Sequence, residues 1–427
     1  MFKAGFARVE VTPPLGTELT GYFEKRISDG ALDAIELNAL AISKNEEKAL
    51  IITGDFMYTG EKMLSEMREL LEEKVGIGAQ NIILQSVHQH TSTSPDSVSA
   101  VGREYQEKLK EKYCIVAKKA IEDLAPAKIS IAQKETAEPI SFVRRFRMKD
   151  GSTKTNPGVL NPMIDHPIGN ADNTVRLVKF ERENEKDIAL VGFQTHPDVI
   201  GGTKFSADWP GFVRRKTEAD IENVHCLLLN GFQGDTNHIN VKKNETQDNY
   251  KISEKMGRII TDAVIKLWDK TEEVPAGEIK ARVVMKYLPT NRNGMERIEE
   301  CIEIRQKYEK GEVMEEFEMG KYGEIWRISR LAEAPVVQRL PISFISFGKI
   351  AIFGLGAEPF TDYADFARAY APNRFILTAC LANGAQDYLP SGAAYSEGGY
   401  EARVANFSQE VVDIVKTTTK EFLDELK

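Results

Sequence analysis

The 427-residue chain carries only four cysteines and six histidines. It also has no apolar run near the roughly 20 residues that a membrane-crossing helix requires. Cys114, Cys226, Cys301 and Cys380 are far apart and show no CxxC spacing, so they read as reduced, mostly buried thiols. A lysine- or arginine-rich stripe is missing, and the net charge is −9. This excludes a protein that tracks a nucleic-acid backbone, because neutralising phosphates takes a concentrated basic surface. No GxGxxG follows the first strand-like segment, which disfavours a Rossmann oxidoreductase. Repeats, low-complexity tracts and Pro/Ser-rich linkers are lacking too, so no domain boundary is marked and residues 1–427 are expected to form a single catalytic α/β domain. The opening MFKAGFARVEVTPPLG has no apolar signal region, and a cytoplasmic location is the resulting expectation.

What the sequence does contain is an alternation. Apolar, β-branched runs at 49–53, 82–87, 189–195, 226–229, 350–355 and 375–380 have the length and composition of buried strands. Segments of helical period lie between several of them, at 61–75, 104–124, 210–221, 253–268 and 363–371. The pattern predicts an α/β fold whose central sheet, mostly parallel or mixed, is flanked by helices. Residues 296–334 are charge-rich and read as a helical excursion, a solvated helical pair without chemistry. Residues 408–426 read as an amphipathic closing helix.

Four of the six histidines, His88, His90, His196 and His238, follow directly on apolar strands. In open α/β sheets ligands bind outside the carboxyl ends of the strands, so polar groups there converge even when distant in sequence. Strand side chains alternate, which turns His88 and His90 of His88-Gln89-His90 to one side. A lone HxH is weak; its repetition at other strand ends gives it weight. The run ALVGFQTHPDVIGG brings His196 and Asp198, FSADWPG brings Asp208, and CLLLNGFQGDTNHINV ends in a Gly234-Asp235 turn with His238 beyond. IITGDF supplies Asp55, GLGAEPFTDY supplies Glu358, and the last strand leads to Asp387, Tyr388, Tyr395 and Tyr400. Neutral imidazoles with a carboxylate suit zinc, and iron or manganese can occupy the same set. Calcium and magnesium prefer oxygen shells.

With these segments assembled, the chain resembles the catalytic domain of neutral/alkaline, non-lysosomal ceramidases over nearly its whole length. The shared markers, in order, are VEVTPPLGTELTGY, IITGDF, VHQHTSTSPD (the family's T-H-T-H-S-G-P), THPDVIG, FSADWPG, GFQGDTN, LGAEPFT and a late tyrosine-rich segment. The resemblance implies one zinc ion per chain, held by His88, His196, Glu358 and Tyr395, with Tyr400 as the competing tyrosine. It also implies a catalytic role for His90 beside the metal and, in FVRRFRMKDG, for Arg144. The implied reaction is amide hydrolysis of a small-molecule or lipid N-acyl substrate by metal-activated water. His90 would move the proton to the leaving amine or steady the oxyanion, a role that Tyr395 or Arg144 could share. Asp55, Asp198, Asp208, Asp235 and His238 are candidates to orient ligands or meet substrate.

The chain departs from that family at Gly231, where a serine is usual, and at His238, near a usual proline. It also ends where larger ceramidases continue into an immunoglobulin-like domain. These departures leave room for ester, phosphoester or N-acyl sugar cleavage on the same scaffold, or for a metal-retaining binding protein without catalysis.

Overall fold

The computed structural model describes residues 1–310, 312 and 319–427. At its centre is a mixed sheet with the spatial order Val224–Asn230, Asp187–Phe193, Thr174–Arg182, Ala125–Glu135, Phe2–Glu10, Glu36–Lys44, Glu47–Gly54 and Ile82–Ser86. The short strand Glu272–Val274 adds to Ala125–Glu135. A second sheet runs Ile279–Pro289, Val337–Phe347, Ile350–Leu355, Phe375–Ala379. Alternating side chains from both sheets share one apolar core, in which the Phe2 ring lies 6.1 Å from Phe180 and 5.8 Å from Phe347. The predicted strands and helices are all present, with helix Glu61–Val75 matching its expected limits and ending at Gly76 in the left-handed conformation that closes helices.

Helices cover the outward faces. Glu61–Val75 and Arg103–Glu122 pack through Leu64, Leu71, Leu109 and Val116 onto one flank of the large sheet. Asp208–Asp220 and Tyr250–Trp268 cover the other flank, and Thr361–Tyr370 with the closing helix Val411–Asp424 covers the small sheet. The excursion contains helices Ile298–Glu309 and Met319–Leu331, while residues 311 and 313–318 of that stretch lie outside the described residues. It is more than a solvated pair: Tyr322 packs on Phe23 at 4.3 Å, and Arg330 pairs with Asp387. None of the described helices is long and apolar enough to cross a membrane.

Within the two main sheets most neighbouring strands are antiparallel, but three pairs are parallel: Glu47–Gly54 with Ile82–Ser86, Asp187–Phe193 with Val224–Asn230, and Ile350–Leu355 with Phe375–Ala379. Each pair is joined through a helix, as a parallel connection requires. The carboxyl ends of all three pairs meet at one place. There the Gln85 side-chain amide donates to the carbonyls of Asn230 (2.6 Å) and Cys380 (2.9 Å), while the Asn230 amide donates to the Val87 carbonyl (3.0 Å). Three distant segments of sequence are thereby locked around a common rim.

Candidate metal and active site

His88, His90 and His196 stand on this rim, all buried, with one ring nitrogen from each lying within 4.8 Å of the others. This buried group can hold a metal ion. His88 adopts φ 85°, a left-handed backbone conformation unusual for a side chain larger than glycine. Its amide donates to the Phe56 carbonyl at 2.8 Å, which fixes the strained turn after the strand. Strain of this kind persists only where surrounding bonds determine it, and it collects at functional sites.

The ring orientations are dictated by carbonyls. Nδ1 of His88 lies 2.8 Å from the Met57 carbonyl, and Nδ1 of His196 lies 3.0 and 2.9 Å from the carbonyls of Gln233 and Thr236. A carbonyl only accepts, so Nδ1 of each ring carries the proton and Nε2 of the neutral ring is a bare lone pair. Both Nε2 atoms face one carboxylate oxygen, Oε2 of Glu358, at 3.1 Å each. Nε2 of His88 and this oxygen complete no hydrogen bond within the protein. Lone pairs pointed at a carboxylate repel unless a cation lies among them. In tetrahedral zinc sites, with bonds near 2.0–2.1 Å, donor atoms stand roughly 3.3 Å apart, so the donors here fit such an ion.

The charges of the site follow from burial and these contacts. Burial opposes protonation of His88, but the Glu358 carboxylate outweighs it and raises the pKa. Glu358 itself is held well below the ordinary carboxylate range, since burial is overcome by His88 and His196. Burial and then the Arg144 guanidinium lower His196. His90 is pushed well below the usual histidine value by burial and by His88, so it is neutral at ordinary pH. Neither of its ring nitrogens has a hydrogen-bond partner. Its imidazole lies beneath the loop of Gly21 and Tyr22, with the Tyr22 ring edge-on at 5.1 Å. Gly21 has φ +110°, and a Cβ there would stand 2.9 Å from Nδ1 of His90, so only glycine lets the loop close over the ring.

Arg144 also reaches the centre. It donates to Glu401 (2.7 Å) and to the Gly234 carbonyl (3.0 Å), and Nη1 lies 3.2 Å from Nε2 of His196. The expected tyrosine does not. Helix Gly392–Glu397, capped by Ser391, turns Tyr395 away, and its hydroxyl donates to the Phe407 carbonyl at 3.1 Å. Tyr388 stands in its place: its hydroxyl is 3.4 Å from Nε2 of His196, and its ring stacks on that imidazole at 6.4 Å. A two-residue parallel ladder pairs Glu358 with Tyr388 and so sets both on one face. Tyr400 packs behind Tyr388 at 5.6 Å.

The remaining expected residues divide. Asp198 stays close enough to lower its own pKa through His238, His196 and His90 against the effect of burial. His238 bridges Asp198 (3.1 Å) and Asp248 (2.6 Å). Asp55, Asp208 and Asp235 bind scaffold instead. Asp55 pairs with Arg214 at 2.9 and 2.6 Å; Asp208 accepts the amides of Val199 and Ile200; Asp235 accepts the amide and hydroxyl of Thr361 at the start of its helix. Gly234 approaches the Glu358 backbone so closely that a Cβ would stand 2.4 Å from its carbonyl oxygen. At Gly231 a Cβ would meet the Thr378 hydroxyl at 2.7 Å, which explains the absence of serine. Glu401 and Arg214 carry no signal in the sequence because their partners lie 257 and 159 positions away; Tyr22 ends the marker VEVTPPLGTELTGY, but its contact with His90 is non-local.

Comparison with solved structures decides the fold. A crystal structure of neutral ceramidase from Pseudomonas aeruginosa superposes with a TM-score of 0.76 at 14% identity, covering 98% of this chain and 73% of that one. The fold is that of neutral ceramidase. A ceramidase complexed with C2 gives a TM-score of 0.74 at 13% identity, covering 98% of this chain and 74% of the ceramidase. No protein-family model matches the sequence, and no curated protein matches it.

Proposed function

We propose that this chain is a zinc-dependent hydrolase that cleaves the amide bond of a small-molecule or lipid N-acyl substrate. The observation that carries this reading is the convergence of two carbonyl-fixed imidazole lone pairs, on His88 and His196, upon a single unpaired oxygen of Glu358. These three side chains would hold one ion, with the Tyr388 hydroxyl beside them. A zinc ion in that position supplies Lewis acidity to the scissile carbonyl and to water.

The other steps belong to the protein. His90, neutral and with both ring nitrogens unengaged, takes a proton from the attacking water and returns it to the leaving amine. Arg144, anchored by Glu401, places a permanent positive charge beside His196, where negative charge develops on the acyl oxygen. The closed Gly21-Tyr22 loop and the burial of His88, His90 and His196 keep bulk water away and strengthen these interactions. The ceramidase fold supports an N-acyl substrate. The polar Asp198–His238 pair near His90 favours, as a second reading, a substrate with a polar leaving group, such as an N-acyl sugar or amino acid.

The test is a panel of N-acyl amines, N-acyl sugars, carboxylic esters and phosphoesters offered to the zinc-replete protein. Release of carboxylate from N-acyl compounds, lost in His90→Ala, is the expected result. Release of inorganic phosphate with no amidase activity would overturn it.

A further inference from the structure

The large sheet is incompletely paired along one side of strand Ala125–Glu135, away from the three central histidines. Strand Glu272–Val274 pairs with Ala125–Glu135 only as far as Glu272 opposite Ile131. Beyond that point Ala125–Glu135 continues, held on its other side by Thr174–Arg182 as far as Glu135 opposite Thr174. The gap left by the short strand opens a cavity of about 550 Å³. Its floor is apolar, made by Ile131, Ala132, Leu267 and Phe375. Gln133 lies opposite Arg176, and Arg176 opposite Gly192, so the cavity is displaced sideways by two strands from the strand that leads to His196. None of its walls belongs to the histidine centre.

Its rim has a distinctive charge. Lys134, Lys266 and Lys270 surround it with Gln133, and Glu272 is the one acidic residue among its walls. No ion pair engages any of the three lysines among the described residues, although elsewhere lysines such as Lys108, Lys216 and Lys307 sit on carboxylates at 2.6–2.9 Å. Lys266 and Lys270 stand at the end of helix Tyr250–Trp268, whose Leu267 carbonyl is already capped by the backbone amide of Lys270 at 2.8 Å. Their ammonium groups are thus not consumed in closing the helix. In a chain of net charge −9, three uncompensated cations around an apolar hollow are a local inversion of sign. Cavities of a few hundred Å³ with an apolar lining and a few convergent charged groups are the usual form of small-molecule sites.

We propose that this cavity binds an amphiphilic anion, its carboxylate or phosphate head among Lys134, Lys266 and Lys270 and its apolar body against Ile131, Leu267 and Phe375. The site is separate from the hydrolytic centre, and its occupancy does not depend on the reaction carried out there.

Isothermal titration calorimetry of the full chain tests this with octanoate and octyl phosphate as probes, and with acetate, inorganic phosphate and octanol as head-only and tail-only controls. The amphiphiles should bind one site saturably and the controls should not, with affinity falling as salt screens the lysines. The triple substitution Lys134→Gln, Lys266→Gln, Lys270→Gln should weaken binding about tenfold or more. Glu272→Gln should tighten it, and Gln133→Trp, which fills the hollow with the lysines intact, should abolish it. Tighter binding of octyl phosphate than of octanoate assigns a phosphate head; the reverse assigns a carboxylate. Affinity unchanged in the triple variant, or lost in His90→Ala instead, would overturn the proposal, as would failure of both amphiphiles to bind the wild type.

Discussion

Two buried carboxylates at the same rim behave in opposite ways. Asp55 has both oxygens saturated: Oδ1 accepts from Gln89 and Arg214, and Oδ2 accepts from the Glu36 amide and Arg214. Glu358, in contrast, presents Oε2 to Nε2 of His88 and His196 alone and receives no hydrogen bond there from the surrounding scaffold. Both residues follow a strand of a parallel pair, and both are buried. Saturation marks a carboxylate that holds the chain in place, since a buried acceptor left unmade costs free energy. An open acceptor facing further acceptors marks a place built for a cation. By this criterion Asp208, whose two oxygens also accept bonds from Val199, Ile200, Trp209 and Ser253, belongs with Asp55.

The contrast can be broken by mutation. The largest effect is expected at the open centre: His90→Ala should lower turnover by about 10²–10⁴, the usual contribution of a general acid–base, while zinc content stays unchanged. Loss of zinc in that variant would move His90 into the ligand set. At the saturated centre, Arg214→Ala strands the Asp55 charge and should cost about 3–5 kcal/mol of stability, seen as an early urea transition. Any folded fraction should still bind zinc.

His238 lies between the two kinds of site, with a carboxylate on each ring nitrogen. Burial is outweighed by its bonds to Asp198 and Asp248, and its pKa rises to about 9. The folded value is above the unfolded one, so this stabilisation is complete below about pH 6.5 and is lost as pH rises through about 9. The full contribution is about 3 kcal/mol. Melting temperature should therefore fall between pH 7 and about 9.5 in the wild type and be flatter over that range in His238→Gln. An equal slope in both would remove His238 as the cause. The smallest effect is expected at Tyr395→Phe, which removes one hydroxyl bond to Phe407 and should cost about 1 kcal/mol without changing zinc affinity. Tyr388→Phe should instead weaken zinc binding or slow the reaction.

Much of this was legible in the sequence, and the failures have a common cause. The strand ends, the histidines beyond them and Glu358 follow from local alternation and from where α/β sheets gather their ligands. The tyrosine did not, because Tyr388 is selected over Tyr395 by a non-local register with Glu358 that no local period encodes. For the same reason Asp55, Asp208 and Asp235 could not be told apart from Asp198: whether a strand-end carboxylate is saturated depends on partners such as Arg214, Ser253 and Thr361, which only the folded chain brings near. The excursion looked solvated because its charges dominate its composition, yet Tyr322 and Arg330 reach the loops that carry Phe23 and Asp387.

The central claim is that the open oxygen of Glu358 and the two carbonyl-fixed imidazoles form a metal site. Metal analysis of the purified wild type and of His88→Ala, His196→Ala and Glu358→Ala, each checked for folding by circular dichroism, tests it directly. The expected result is one zinc per wild-type chain and its loss from all three folded variants. Undiminished zinc in the variants would contradict the account.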